Sequence, residues 1–326
     1  MLKSLATAAS AAAAALGIAC AAHAQPPAYP SRPVTLVVPF AAGGTVNLMG
    51  RLIATRLGEV LGQPVIVDNK PGGCGSIGAS FVAKAPADGY TLLLATQGQQ
   101  SILPAISKKL PYDAQKDFAP IALFSTVPNV LAVSADMPVR NMDEFIQYAK
   151  ANPGKLNMGS AGIGSTNHLT GELFAYRTGV RFTHVPYKGA GPAATDLLSG
   201  QIQVLFTNLP NVLAYAKAGR VKLLGIASAR RSPLIPGVPT FAEAGVKGAE
   251  VDSWNAFMAP ARTPPEIVKK LQEAVLSIAN DKQMAALLAE QGAEPFPGTG
   301  QDLSRLSEQE SRRWAEVVRH ANIQLD

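Results

Sequence analysis

Cysteine is almost missing from this sequence of 326 residues, with Cys20 and Cys74 the two copies. A disulfide-stapled scaffold and a cysteine-rich metal knuckle are thereby excluded. Histidine is nearly as scarce, with four copies at His23, His168, His184 and His320. None is spaced from another as metal ligands are, so no metal centre is expected. Charged residues make up only 16% of the chain, with a net balance of +6. The cations are scattered, and Arg230-Arg231 and Arg312-Arg313 lack interleaved aromatics, which argues against a nucleic-acid surface. No glycine loop ends in Gly-Lys-Ser/Thr and no dinucleotide fingerprint occurs, so no cofactor is expected. A hydrolytic set is missing too. Ser165 follows Gly164 but precedes Thr166-Asn167, which breaks the nucleophile-elbow pattern. Cys74 sits in a Gly-Gly-Cys-Gly turn with no histidine near it in sequence.

One long apolar run occurs, Leu5 to Ala19, and it is too short to span a bilayer as an ordinary helix. With Lys3 before it and Ala22-His23-Ala24 after it, the run reads as a secretory signal cleaved after Ala24. A lipid anchor on Cys20 is the alternative, disfavoured because Gly17 stands where such signals carry Leu. Cleavage after Ala24 would leave Cys74 as the sole cysteine and no intrachain disulfide. The remainder, in a chain that is 47% hydrophobic with 29 glycines and 25 prolines, suits short elements joined by many loops and more than one core.

What is present is a repeated design of strand, glycine loop and helix. The apolar run Val34 to Val38 leads into Phe40-Ala41-Ala42-Gly43-Gly44-Thr45, and a helical pattern follows through Met49, Leu52, Ile53, Leu57 and Val60. Leu156 to Ser160 leads likewise through Ala161-Gly162-Ile163-Gly164 to a helix starting at Ser165-Thr166-Asn167-His168, with Leu169, Leu173 and Tyr176 on one face. The first N–H groups of a helix have no intrahelical acceptor and lie at the positive end of its dipole, so each start is an anion site. Two such starts imply a ligand with negative groups, held without a charged side chain. His168, in the first turn of the second helix, joins the candidates.

Further along, strands and helices alternate as in a doubly wound α/β fold, where ligands bind beyond the carboxyl ends of the strands. That rule brings Thr96-Gln97-Gly98 to the edge of the Phe40 loop. Ile121 to Ser134, broken at Pro128-Asn129, suits a strand crossing between domains, and Val251 to Ala259 a return crossing. The expected division is residues 1–24 as signal, 25–127 with 253–326 as one domain, and 128–252 as the other. Helical spacing over Val268 to Gln291 and Leu303 to Ala321 closes the chain.

The segments Tyr29-Pro30-Ser31-Arg32-Pro33, Val38-Pro39-Phe40-Ala41-Ala42-Gly43-Gly44, Gly62-Gln63-Pro64-Val65, Asp88-Gly89-Tyr90-Thr91-Leu92 and Leu110-Pro111-Tyr112-Asp113 resemble those of the Bug (TctC-like) binding proteins of tripartite tricarboxylate transporters. So do Ser160 to Ser165 with His168-Leu169, Val185-Pro186-Tyr187-Lys188-Gly189, and Val238-Pro239-Thr240 with Glu243-Ala244-Gly245. The resemblance implies a periplasmic protein of the type II binding-protein fold, two doubly wound α/β domains joined by crossing strands around a ligand cleft. It implies a small carboxylate held by Phe40, Ala42, Gly43, Gly44 and Thr45 and by Ser160, Gly162, Gly164, Ser165 and Thr166. Gln97, Tyr187 and Asn208 would shape the distal end. A TctA/TctB-like pair of membrane subunits is the implied partner, and a monomer is expected. Two positions depart from the family pattern: Asn47 stands where Asp is usual, and Thr207 where Asp is frequent. Both changes remove negative charge, so a ligand more acidic or bulkier than an amino acid is expected, with Asn47 counted in the site. A carboxylate sensor for a signalling partner, or a hydrolase using Ser165 or Cys74, remain the alternatives at this point.

Overall fold

The computed structural model describes residues 29–107 and 109–321, the side chains of 320 and 321 excepted. The expected signal, its cleavage point, Cys20 and the His320 side chain lie outside the described residues.

Strand β1 (Val34–Val38) is buried at four of its five positions. A run so continuously apolar needs cover on both faces. Helix α1 (Thr45–Leu61) supplies one cover with Met49, Ile53 and Leu57, and Gly62 at φ 69° ends it in the left-handed conformation that glycine adopts freely. Val60 is 53% exposed, and Leu61 fills the inward place instead. Strand β2 (Val65–Asn69) pairs parallel to β1. A short 3-10 turn, Gly73–Gly75, carries Cys74 at φ 55° and leads into α2 (Ser76–Ala83). Strand β3 (Thr91–Thr96) lies on the other side of β1. A π-helical turn, Gly98–Ile102, then runs into α3 (Leu103–Ile106).

Strand β4 (Phe118–Ser134) is 17 residues long. Next come α4 (Met142–Ala151), β5 (Asn157–Ser160), α5 (Thr166–Thr178), β6 (Thr183–Pro186), α6 (Ala190–Leu198), β7 (Val204–Asn208), α7 (Leu213–Lys217) and β8 (Val221–Ile226). The chain returns through β9 (Asp252–Pro260) and ends with α8 (Pro265–Ala279), α9 (Lys282–Glu290), β10 (Glu294–Thr299) and α10 (Gly300–Ala321).

Neighbouring strands run in the order β2-β1-β3-β9-β4-β7-β5-β6, with β8 and β10 also paired to β4. Strand β4 is shared by two lobes. From Phe118 to Pro128 it pairs with β9, and from Asn129 to Val133 with β7. The changeover falls at Pro128, which has no N–H to give a ladder. Phe124, Phe257 and Leu36 belong to a core of the first lobe, and Phe145, Phe174 and Phe206 to a core of the second. Helix α10 reaches both halves: Leu303 belongs to the cluster that holds Leu93 and Trp254, and Trp314 to the one that holds Phe145 and Phe174.

The structure departs from the sequence reading in places. The helical spacing over 268–291 resolves into two helices, because Asp281 caps the second by accepting from the N–H groups of Gln283 (2.6 Å) and Met284 (3.1 Å). Strand β10, for which the sequence reading has no counterpart, contains Pro295 and Pro297 and pairs with β4 across an irregularity between Pro295 and Gly298. Helix α6, which the sequence pattern places over Ala193 to Leu198, begins at Ala190, with Pro192 in the first turn where no N–H is needed. Tyr176, expected on the inner face of α5, is 50% exposed.

Candidate ligand-binding site

A cavity of about 320 Å³ opens where three helices begin, beyond the carboxyl ends of β1, β5 and β6. The first wall is the loop from Phe40 to Val46. Gly43 sits at φ 88°, and Gly44 precedes α1 without a side-chain cap. The first helical bond here comes from Leu48 N to Gly44 O (3.0 Å), so the N–H groups of Thr45, Val46 and Asn47 have no acceptor in the helix. The second wall is the start of α5. Ser165 caps it, accepting from His168 N (3.2 Å) and donating to Gly162 O (2.7 Å). The N–H groups of Thr166 and Asn167 remain. The third wall, which the sequence reading did not include, is the start of α6 from Lys188 to Pro192. Gly189 precedes that helix at φ 141° and brings no side-chain cap. The pattern was visible: Val185 to Pro192 is a third strand, glycine loop and helix.

Lys188 is the one charged side chain among the described residues lining the cavity, and no carboxylate lines it. Electrostatically the site is three positive helix ends and one cation around a common space, suited to an anion with more than one negative group.

Of the residues expected at the site, Phe40, Ala42, Gly43, Gly44, Thr45, Ser165, Thr166 and Asn208 line the cavity. The others stand behind it. Asn47 Nδ2 donates to Asn69 Oδ1 (3.0 Å), and Asn69 Nδ2 donates to Phe40 O (2.8 Å), so Asn47 steadies the first loop from below. Gln97 Nε2 donates to Glu310 Oε2 (2.6 Å) on α10. Ser160 Oγ lies 2.7 Å from His184 Nε2 and accepts from Gly162 N (3.2 Å). Gly162, at φ 129°, has its space limited by Tyr187 O, 3.2 Å from where a Cβ would stand. Gly164 N donates to His168 Nδ1 (3.2 Å), which fixes that ring with its proton on Nε2, towards Glu172 Oε1 at 3.5 Å. The His168 ring stacks on that of His184 at 4.0 Å. Tyr187 donates its hydroxyl to Asp196 Oδ2 (2.6 Å). These residues hold the loops that form the wall.

Sequence reasoning named Thr45, Thr207 and Asn129 but missed Asn211 and the bonds by which these residues close the space between the lobes. Thr45 Oγ1 donates to Asn211 Oδ1 (3.0 Å) across the cleft, and Asn211 Nδ2 donates to Thr207 Oγ1 (3.0 Å). Thr207 therefore orients the amide that meets the other lobe. Asn129, fully buried next to Pro128, donates to Val251 O (3.1 Å) and accepts from Asn167 Nδ2 (2.7 Å). It ties both crossing strands to the start of α5.

Protonation states fit binding better than proton transfer. Burial pushes the Cys74 thiol up to about 12, so the nucleophilic thiolate is suppressed. Burial, then the neighbouring His168, pushes His184 down to about 4. Ser165 Oγ is occupied by Gly162 O and His168 N, and no imidazole is hydrogen-bonded to it among the described residues.

Comparison with known proteins agrees with this geometry. The family model described as the tripartite tricarboxylate transporter family receptor matches residues 49–323. Protein BugT of Bordetella pertussis is 37% identical over 302 residues, covering 91% of each chain. The solved structure of R. palustris Rpa4515 with adipate is 42% identical, covers 91% of this chain and 99% of that one, and superposes with a TM-score of 0.88. MatC (Rpa3494) from Rhodopseudomonas palustris with bound malate is 35% identical over 89% of this chain and 100% of that one, with a TM-score of 0.84. Matched over most of its length in sequence and in fold, the chain belongs to the receptor family of the tripartite tricarboxylate transporters.

Proposed function

We propose that this protein is a periplasmic solute-binding protein that captures a small dicarboxylate in the cleft between its lobes. It then delivers the acid to a TctA/TctB-like pair of membrane subunits, and it acts as a monomer without catalysis. The observation that carries the reading is the convergence of three helix starts and Lys188 on one cavity that no carboxylate lines. The lobes are assigned as residues 25–127 with 253–326, and 128–252, with α10 strapped across both.

One carboxylate is assigned to the N–H groups of the Gly44–Val46 and Thr166–Asn167 turns, with Thr45 and Ser165 beside it. The other is assigned to Lys188 and the Gly189–Gly191 turn. The energetics suffice. A hydrogen bond to a charged group contributes about 1.5–3 kcal/mol net, and each helix end about 0.3–1 kcal/mol. A few such bonds at each end offset immobilisation and reach micromolar affinity, about −8 kcal/mol. An amino acid would bring an ammonium group to a cavity that no carboxylate lines. That the relatives were solved with adipate and malate supports the choice of a diacid.

Calorimetry with malate, succinate, adipate, citrate, acetate and aspartate tests this. Dicarboxylates are expected at micromolar affinity or tighter, with acetate and aspartate weaker. Indifference to every acid, or a preference for aspartate, would refute the reading. Fractionation of cells expressing the full chain checks the compartment.

A further inference from the structure

Between the helix starts, part of the cavity wall is built from the crossing strands and the segments that meet them. Asn208 ends β7, Ser253 lies on β9 and Asn167 opens α5, and all three line the cavity. Behind them stands Asn129 of β4, fully buried. The hydrogen bonds of this group can be followed donor by donor. Val251 O can only accept, so the Asn129 atom that meets it at 3.1 Å is Nδ2. Asn129 Oδ1 therefore points the other way, and takes Asn167 Nδ2 at 2.7 Å and Asn208 Nδ2 at 3.4 Å. One main-chain carbonyl thus fixes the orientation of three amides.

This arrangement leaves particular valences over. Asn167 and Asn208 have turned their nitrogens to Asn129, and neither Oδ1 accepts a hydrogen bond among the described residues. Neither oxygen is sealed off from solvent. The two residues are only 5% and 9% exposed and both line the cavity, so a partner for these oxygens comes from within it. Ser253 Oγ accepts from Asn129 Nδ2 (3.2 Å) and from Asn208 Nδ2 (3.0 Å). Both of its lone pairs are taken, and its own proton is left to donate. This part of the wall therefore offers two buried acceptors beside one donor.

We infer that the diacid taken by this cleft carries a hydroxyl group between its carboxylates, seated on Asn167, Asn208 and Ser253. A hydroxyl donates one hydrogen bond and accepts others. Its proton goes to an amide oxygen, and its oxygen receives the proton of Ser253. A methylene at the same place answers neither group and leaves buried acceptors without donors, which costs binding. An ammonium would supply donors, but it would face the Ser253 proton and Lys188 in a cavity that no carboxylate lines. A site built to pair with a hydroxyl rejects the analogue lacking it more strongly than an apolar pocket can. The inference rests on the proposed capture of a diacid, which supplies the grip at the two ends.

The test compares matched acids that differ by the hydroxyl alone. Malate against succinate, and 2-hydroxyglutarate against glutarate, are titrated by calorimetry into the wild type and into Asn167→Leu, Asn208→Leu and Ser253→Ala. The wild type is expected to prefer the hydroxylated member of each pair about tenfold. In the variants that ratio is expected to fall towards one, and a ratio taken within one variant cancels general damage to the cleft. Three positions keep the test open if one variant fails to melt as the wild type does. Equal affinity within both pairs in the wild type would overturn the inference, as would a preference that survives unchanged in every folded variant. Aspartate binding more tightly than malate would overturn it too, by giving the two oxygens to an ammonium. If the wild type binds no diacid, the functional reading falls. The hydroxyl seat is then decided by lactate against propionate, read by ligand-detected NMR.

Discussion

At the scale of single residues, two side chains control behaviour that the main chain cannot. Lys188 supplies the only charge on the cavity wall among the described residues. Lys188→Gln is expected to lower dicarboxylate affinity about tenfold at low ionic strength, with the deficit shrinking as salt is added. Monocarboxylate binding should barely change, and titration of both acids across salt concentrations checks the pair. His184 is expected to contribute to acid sensitivity. Burial, then His168, pushes its pKa down to about 4 from 6.5. Between these values the unfolded chain binds a proton that the folded one refuses, so stability rises with pH there. The folded protein should hold full stability above about pH 6.5 and lose part of it as pH falls towards 4. His184→Gln should flatten that slope, as read from urea midpoints at pH 4.5, 5.5 and 7. Cys74 has no comparable role, since burial keeps its thiol protonated at any physiological pH.

At the scale of elements, the helix starts carry both the fold and the site. Ser165 is the N-cap of α5 and also fixes Gly162 O. Ser165→Ala is expected to cost about 1 kcal/mol of stability and to weaken binding by loosening the 162–165 turn. Ser165→Thr should recover most of both, and paired denaturation and calorimetry measure it. Strong local signals made much of this level readable in sequence. The runs Val34 to Val38 and Thr91 to Ala95 are continuous enough to announce buried strands, and Pro153-Gly154 marks the end of α4. The change of partners along β4 was readable because Pro128 has no N–H to donate to a ladder. Other features depended on contacts far along the chain. Strand β10 exists because β4 offers it an edge, against the preference of Pro295 and Pro297. The split between α8 and α9 rests on one cap inside an otherwise helical pattern. The third strand, glycine loop and helix was legible as a pattern, but Pro192 reads as a loop residue, so the helix start is placed three residues late from sequence. Of the expected site residues, those of the Phe40–Thr45 loop with Ser165, Thr166 and Asn208 line the cavity, while Gln97, Ser160, His168 and Tyr187 turn to partners that spacing does not reveal.

At the scale of the whole molecule, α10 ties the halves together. Leu303 packs against the first lobe and Trp314, fully buried, against the second. Trp314→Ala is expected to lower stability by about 3–5 kcal/mol, whereas Val60→Ala, at an exposed position, should stay within about 0.5 kcal/mol. Chemical denaturation of both variants gives the comparison. A strap of this kind also confines lobe motion to bending of the crossing strands, since sliding would tear one end of α10 from its core. The proposed way of gripping an acid has a last consequence, for descent with modification. Peptide N–H groups are specified by no particular codon, so most point mutations in the three turns alter a side chain and spare the grip. Duplicated copies of such a gene can therefore drift in the residues around the rim and acquire new tastes among organic acids. Under the proposed grip, the hold on a carboxylate would pass through that drift intact.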